Sequence, residues 1–126
     1  MRSVLVVDDH VDLSEMVQYV LTHEGYRVIL AHDTRSAISA AMRELPHLIL
    51  LDVMLPDRDG VEMVRSLSKQ EDTRNTPVVF LTDLISDKGA AGENNMVVDG
   101  ETYPVLSKAI GQELLLERIK YFVENG

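Results

Sequence analysis

Three acidic positions stand out for their place relative to apolar runs: Asp8 and Asp9 directly after SVLVV, and Asp52 directly after LILL. Apolar runs of this length, rich in Val and Leu, read as strands. If the strands feed one edge of a parallel sheet, the three carboxylates converge in one crevice. Carboxylates that close repel unless positive charge lies between them. A hard divalent cation with oxygen ligands relieves that repulsion, and Mg²⁺ is the usual one. Lys108 follows another apolar run and would complete the charge balance, and Thr82 ends VVFLT.

The elements that must position these groups alternate along the chain. Strands are expected at Ser3–Val7, Arg27–Ala31, Leu48–Leu51, Val78–Leu81 and Tyr103–Leu106, the last either at an edge or starting one residue later because of Pro104. An amphipathic helix over Val11–Glu24 has Leu13, Met16, Val17, Val20 and Leu21 on one face and stops at Gly25. A second, capped by Thr34, runs to Glu44 with Ala37, Ile38, Ala41, Met42 and Leu45 on its apolar face. A third covers Val61–Lys69, and the last covers Gly111–Glu124. Residues 83–101, with glycines and paired asparagines, are expected to hold a short, irregular fourth helix. Five strand–helix units predict an α/β fold, a doubly wound five-stranded parallel sheet with helices on both faces. Ligands of such sheets sit at the carboxyl ends of the strands, where the acidic residues, Thr82 and Lys108 fall.

Composition narrows the function. The 126 residues suit one domain spanning 1–126. The absence of cysteine excludes disulfides, thiolate metal sites and cysteine nucleophiles. A net charge of −9 disfavours direct nucleic-acid binding, which relies on Lys and Arg, and gives no support to an anionic membrane. No signal peptide or bilayer-spanning stretch is recognisable, so a cytoplasmic location is expected. The four histidines are scattered without metal-ligand spacing, although His10 adjoins the acidic pair.

VLVVDDH, LILLDVMLPDRDG, VVFLT and Lys108, in this order and spacing, resemble a response-regulator receiver domain of two-component signalling. The likeness spans nearly the whole chain and is strongest in the first 82 residues. The resemblance implies a flavodoxin-like, receiver-type fold and a signalling switch, not a turnover enzyme. By the same resemblance, Asp52 accepts a phosphoryl group from a sensor histidine kinase or a histidine phosphotransfer protein. Asp9, Asp52 and the Met54 carbonyl would bind Mg²⁺ directly, and Asp8 through water. Thr82 and Lys108 would contact phosphoryl oxygens. An output domain or a downstream protein is an expected partner, and homodimerisation through the output face is common in the family.

Four departures concentrate near the output face. Asp83 replaces a small residue after Thr82. Ala109 replaces the proline after the lysine; a cis bond before Ala costs ~2.5–4 kcal/mol, so a trans bond is expected. The segment between Thr82 and Lys108 is longer than usual. Val105 takes the place of an aromatic, and Tyr103, two residues earlier on the same face, reads as its substitute or as a packed tyrosine. Two rival readings therefore stay open: a phosphorylation-independent pseudo-receiver that acts as a protein-interaction module, and a Mg²⁺-dependent aspartyl phosphohydrolase. The second is opposed by Met54, which stands where such enzymes carry a second Asp.

Overall fold

A computed structural model describes residues 2–53, 60–82 and 94–125. The proposed carbonyl ligand of Met54, the loop residues Asp57 and Asp59, and the departure at Asp83 lie outside this set. The elements run β1 (Ser3–Val7), α1 (Val11–His23), β2 (Arg27–Ala31), α2 (Thr34–Glu44), β3 (Leu48–Asp52), α3 (Gly60–Ser68), β4 (Val78–Thr82), β5 (Asn94–Val98), β6 (Glu101–Ser107) and α4 (Gln112–Asn125). They form one sheet in the order β2-β1-β3-β4-β6-β5. Strands β2, β1, β3, β4 and β6 are mutually parallel.

The central strands are buried along their whole length, which explains their unbroken apolar runs. On one face, Val4, Val6, Leu48, Leu50, Val79 and Leu81 pack with Val17 and Leu21 of α1 and Leu115 and Ile119 of α4. On the other, Leu5, Val7, Ile49, Leu51 and Phe80 pack with Ala37 and Ala41 of α2 and Met63, Val64 and Leu67 of α3. The expected doubly wound architecture is therefore present.

The α1 helix stops where expected: Gly25 takes φ +90°, and the Tyr26 N–H returns to the Leu21 carbonyl. Two details of α2 need correction. Its N-cap is Asp33, whose carboxylate accepts from the Ser36 N–H, and Thr34 is the first helical residue. Met42 and Leu45, expected on the apolar face, are 43% and 50% exposed. Leu45 has already left the helix for a left-handed conformation ahead of Pro46.

The sheet has six strands instead of five, and the described end of the expected fourth helix is a strand. β5 pairs antiparallel with β6, Val98 opposite Glu101. The two-residue link is Asp99-Gly100, with φ +51° and +86°. Positive φ at both positions matches the twist of a tight hairpin, and Asp-Gly tolerates it. Side-chain alternation selects the strand: Met96 and Val98 pack into the core shared with α2 and α3, whereas Val97 is 65% exposed. Arg65 of α3 reaches Asp99 at 3.2 Å and ties the hairpin down. Pro104 is accommodated because the parallel ladder of β6 with β4 begins only at Val105.

Candidate functional site

The chain reverses its direction of strand addition between β1 and β3, so the carboxyl ends of these strands flank the switch point of the sheet. Asp8 follows β1 and Asp52 ends β3. Asp8 is fully buried, the Asp52 side chain is 5% exposed, and Asp9 beside them is open to solvent. Lys108, just beyond β6, reaches back across the sheet edge. Its Nζ lies 2.9 Å from Asp8 Oδ2 and 3.0 Å from Asp52 Oδ2. Burial pulls the Lys108 ammonium's pKa down, but the hydrogen bonds and charges of Asp8 and Asp52 outweigh it and leave a net rise.

Backbone bonds fix this arrangement. The Lys108 N–H donates to the Thr82 carbonyl at 3.0 Å, which locks the exit of β6 to the end of β4. Ser107 Oγ accepts from the Ala109 N–H at 3.0 Å, and the Lys108–Ala109 bond is trans, as expected for a non-proline. Thr82 is buried and pairs in register with Ser107. The His32 Nδ1–H donates to the Asp8 carbonyl at 2.7 Å and pins the turn after β1. Below Asp52, the Gly60 N–H donates to the Val53 carbonyl at 2.6 Å. A Cβ at Gly60 would come within 2.6 Å of the Asp52 carbonyl oxygen, so only glycine lets α3 start this close to β3.

Tyr103 packs edge-on against Phe80, with ring centroids 5.9 Å apart, and joins the core. It is a packed tyrosine. His10 was not assigned a role by sequence reasoning. Here it is the N-cap residue of α1, its N–H donates to Asp8 Oδ1 at 2.7 Å, and its Nδ1 lies 2.9 Å from Lys108 Nζ. Its position directly after the acidic pair was the only available signal, because the partner lies at the far end of the chain.

Asp8, Asp9, His10 and Asp52 each offer a ligand atom, all within 4.8 Å of one another. Asp8 Oδ2 is buried, and its partner among the described residues is the Lys108 ammonium at 2.9 Å. An oxygen-rich donor set of this kind, with Asp8 and Asp52 buried, fits a hard divalent cation.

A family model for the response regulator receiver domain matches residues 4–120. The chain belongs to this family, a class of signalling modules. Over 88 residues it is 42% identical to a probable transcriptional regulatory protein, TcrX, of Mycobacterium tuberculosis, covering 68% of this chain and 37% of that protein. Over 81 residues it is 41% identical to the phosphate regulon transcriptional regulatory protein PhoB of Escherichia coli, covering 64% of this chain and 35% of that protein. The chain thus spans little more than a third of the length of these relatives. Among solved structures it resembles the Vibrio cholerae chemotaxis protein CheY4, with TM-score 0.81 and 31% identity over 97% of this chain and 98% of that one. A putative response regulator from Chloroflexus aurantiacus gives TM-score 0.82 at 26% identity, covering 98% of both chains. No helix among the described residues is long and apolar enough to cross a membrane.

Proposed function

We propose that this receiver domain accepts a phosphoryl group on Asp52 from a phosphohistidine of a sensor kinase or phosphotransfer protein, with Mg²⁺ as cofactor. The observation that carries the reading is Lys108 Nζ bridging Asp8 and Asp52 at 2.9 and 3.0 Å across the carboxyl edge of the sheet. An Asp52 carboxylate oxygen forms the new bond to phosphorus. The P–N bond to the donor imidazole breaks, and its electron pair stays on the departing nitrogen. Phosphoryl transfer of this kind depends on positioning and charge neutralisation. A cation held by Asp8, Asp9 and Asp52 would supply positive charge against the phosphoryl oxygens. Lys108 supplies a second positive charge and turns from the carboxylate to a phosphoryl oxygen. The Thr82 hydroxyl donates to another.

The transferred group brings roughly −1.5 to −2 charge to the strand ends. Thr82 is bound in register to Ser107, and β6 carries the antiparallel β5. The switch in this chain therefore acts on a β-hairpin, and it is this surface that signals to an output domain or downstream protein.

Intact mass after incubation with acetyl phosphate and Mg²⁺ tests the reading. The expected result is a gain of one phosphoryl group in the wild type, none in Asp52→Asn and none with EDTA. No gain from either acetyl phosphate or a phosphohistidine protein would replace this reading with a phosphorylation-independent interaction module.

A further inference from the structure

We infer that β5 is a pairing edge for a second copy of this chain, joined strand to strand in an antiparallel ladder centred on Val97. The inference is independent of phosphoryl transfer and of the cation site. β5 ends the six-stranded sheet, and its side away from β6 meets no strand among the described residues. Main-chain N–H and C=O groups on such a side template another strand unless charge, proline or cover blunts them. The opposite edge, β2, is blunted at its start by Arg27, which Glu44 holds at 2.6 Å. β5 reads NNMVV, with neither charge nor proline. It also bears Val97, at 65% the most exposed large apolar side chain among the described residues.

Charge and symmetry select a second copy as the occupant. Two chains of net charge −9 repel each other, and an uncharged strand is where they approach at least cost. An antiparallel pair of identical strands is self-complementary about a two-fold axis, so the contact closes as a dimer. With Val97 opposite its own copy, Met96 faces Val98 and Asn95 faces Asp99 of the second copy. The two Val97 side chains then cover each other on one face of the sheet. On the other face, the Met96–Val98 pairs extend the apolar layer that these residues already share with α2 and α3. Asn95, exposed in this structure, brings an amide to Asp99, so no carboxylate faces another within the span 95–99. A ladder this short is a small interface, and the dimer is accordingly weak and concentration-dependent.

Two measurements on the intact chain test this. Sedimentation velocity over roughly a hundredfold range of concentration should show a monomer–dimer equilibrium. Val97→Glu sets two like charges opposite each other in the ladder and should weaken dimerisation about tenfold. Tyr19→Glu adds the same charge on α1, at another exposed side chain, and should leave dimerisation nearly unchanged. Circular dichroism verifies that both variants fold. The second measurement uses the absence of cysteine from the chain. Directly opposed residues of an antiparallel pair lie about 4.5–5.5 Å apart between Cα atoms, within disulfide reach. Mild oxidation should therefore cross-link Val97→Cys to a covalent dimer and leave Tyr19→Cys mainly monomeric. A chain that stays monomeric at every concentration overturns the inference. So does a dimer that survives Val97→Glu undiminished, or equal cross-linking of the two cysteine variants, because either places the contact on another surface.

Discussion

At the scale of single residues the site is a problem of charge. Asp8 is fully buried and the Lys108 side chain is only 7% exposed, so each is committed to the other. Removing one member of a buried pair leaves an uncompensated charge. Lys108→Met should therefore cost about 3 kcal/mol in urea unfolding with EDTA present. The pH dependence has a definite sign. Because Lys108 has a raised pKa in the fold, its contribution is fully present below the ordinary lysine value. It is lost as pH rises through the higher folded-state value. On the alkaline side, the stability gap between wild type and Lys108→Met should thus narrow in strongly alkaline buffer and not before; a gap already closing near neutral pH would contradict the pairing. The convergence of Asp8, Asp9, Asp52 and Lys108 was legible because all follow apolar runs. His10 was not, because its contact with Lys108 joins residues 98 positions apart and no local pattern records it.

At the scale of elements, the critical joint is between β3 and α3. Gly60 opens α3, and any side chain there meets the Asp52 carbonyl, which belongs to the proposed phospho-acceptor. Gly60→Ala must push α3 off the strand end, an overpacking cost of about 1–3 kcal/mol. The expected result is a lower urea midpoint together with slower phosphorylation by acetyl phosphate. Unchanged stability and rate would show that the loop absorbs the methyl group. Most elements were readable from periodicity, and β1 and β2 keep their expected bounds. The region before Tyr103 misled because its glycines and asparagines mask a period of two that lasts only from Asn94 to Val98. The stronger signal was local: Asp99-Gly100 between MVV and ETY is a hairpin dipeptide. Pro104 left two readings, an edge or a later start: the edge is one strand further out, at β5, and the parallel pairing with β4 starts at Val105.

At the scale of the whole molecule, two effects of cations must be separated. The chain carries a net charge of −9, and its self-repulsion opposes compactness, so any salt should stabilise the fold somewhat by screening. Binding at the strand ends is different in kind, because it draws on Asp8, Asp9 and Asp52, which unfolding disperses. A ligand specific to the folded state adds RT ln(1 + [L]/Kd), or about 1.4 kcal/mol at ten times the dissociation constant. For a domain of this size that corresponds to roughly 3–6 °C in Tm. MgCl₂ should therefore raise Tm by this amount above NaCl at matched ionic strength. Asp8→Asn combined with Asp9→Asn should abolish the excess while keeping the response to NaCl. The same variant should melt higher than wild type in EDTA if repulsion among the acids outweighs the lost attraction to Lys108, and lower if that attraction dominates. The 2.9 Å contact between Lys108 and buried Asp8 favours the second outcome. Equal Tm values in MgCl₂ and NaCl would reduce the cation effect to screening and leave Lys108 as the positive charge that the described residues bring to the pocket.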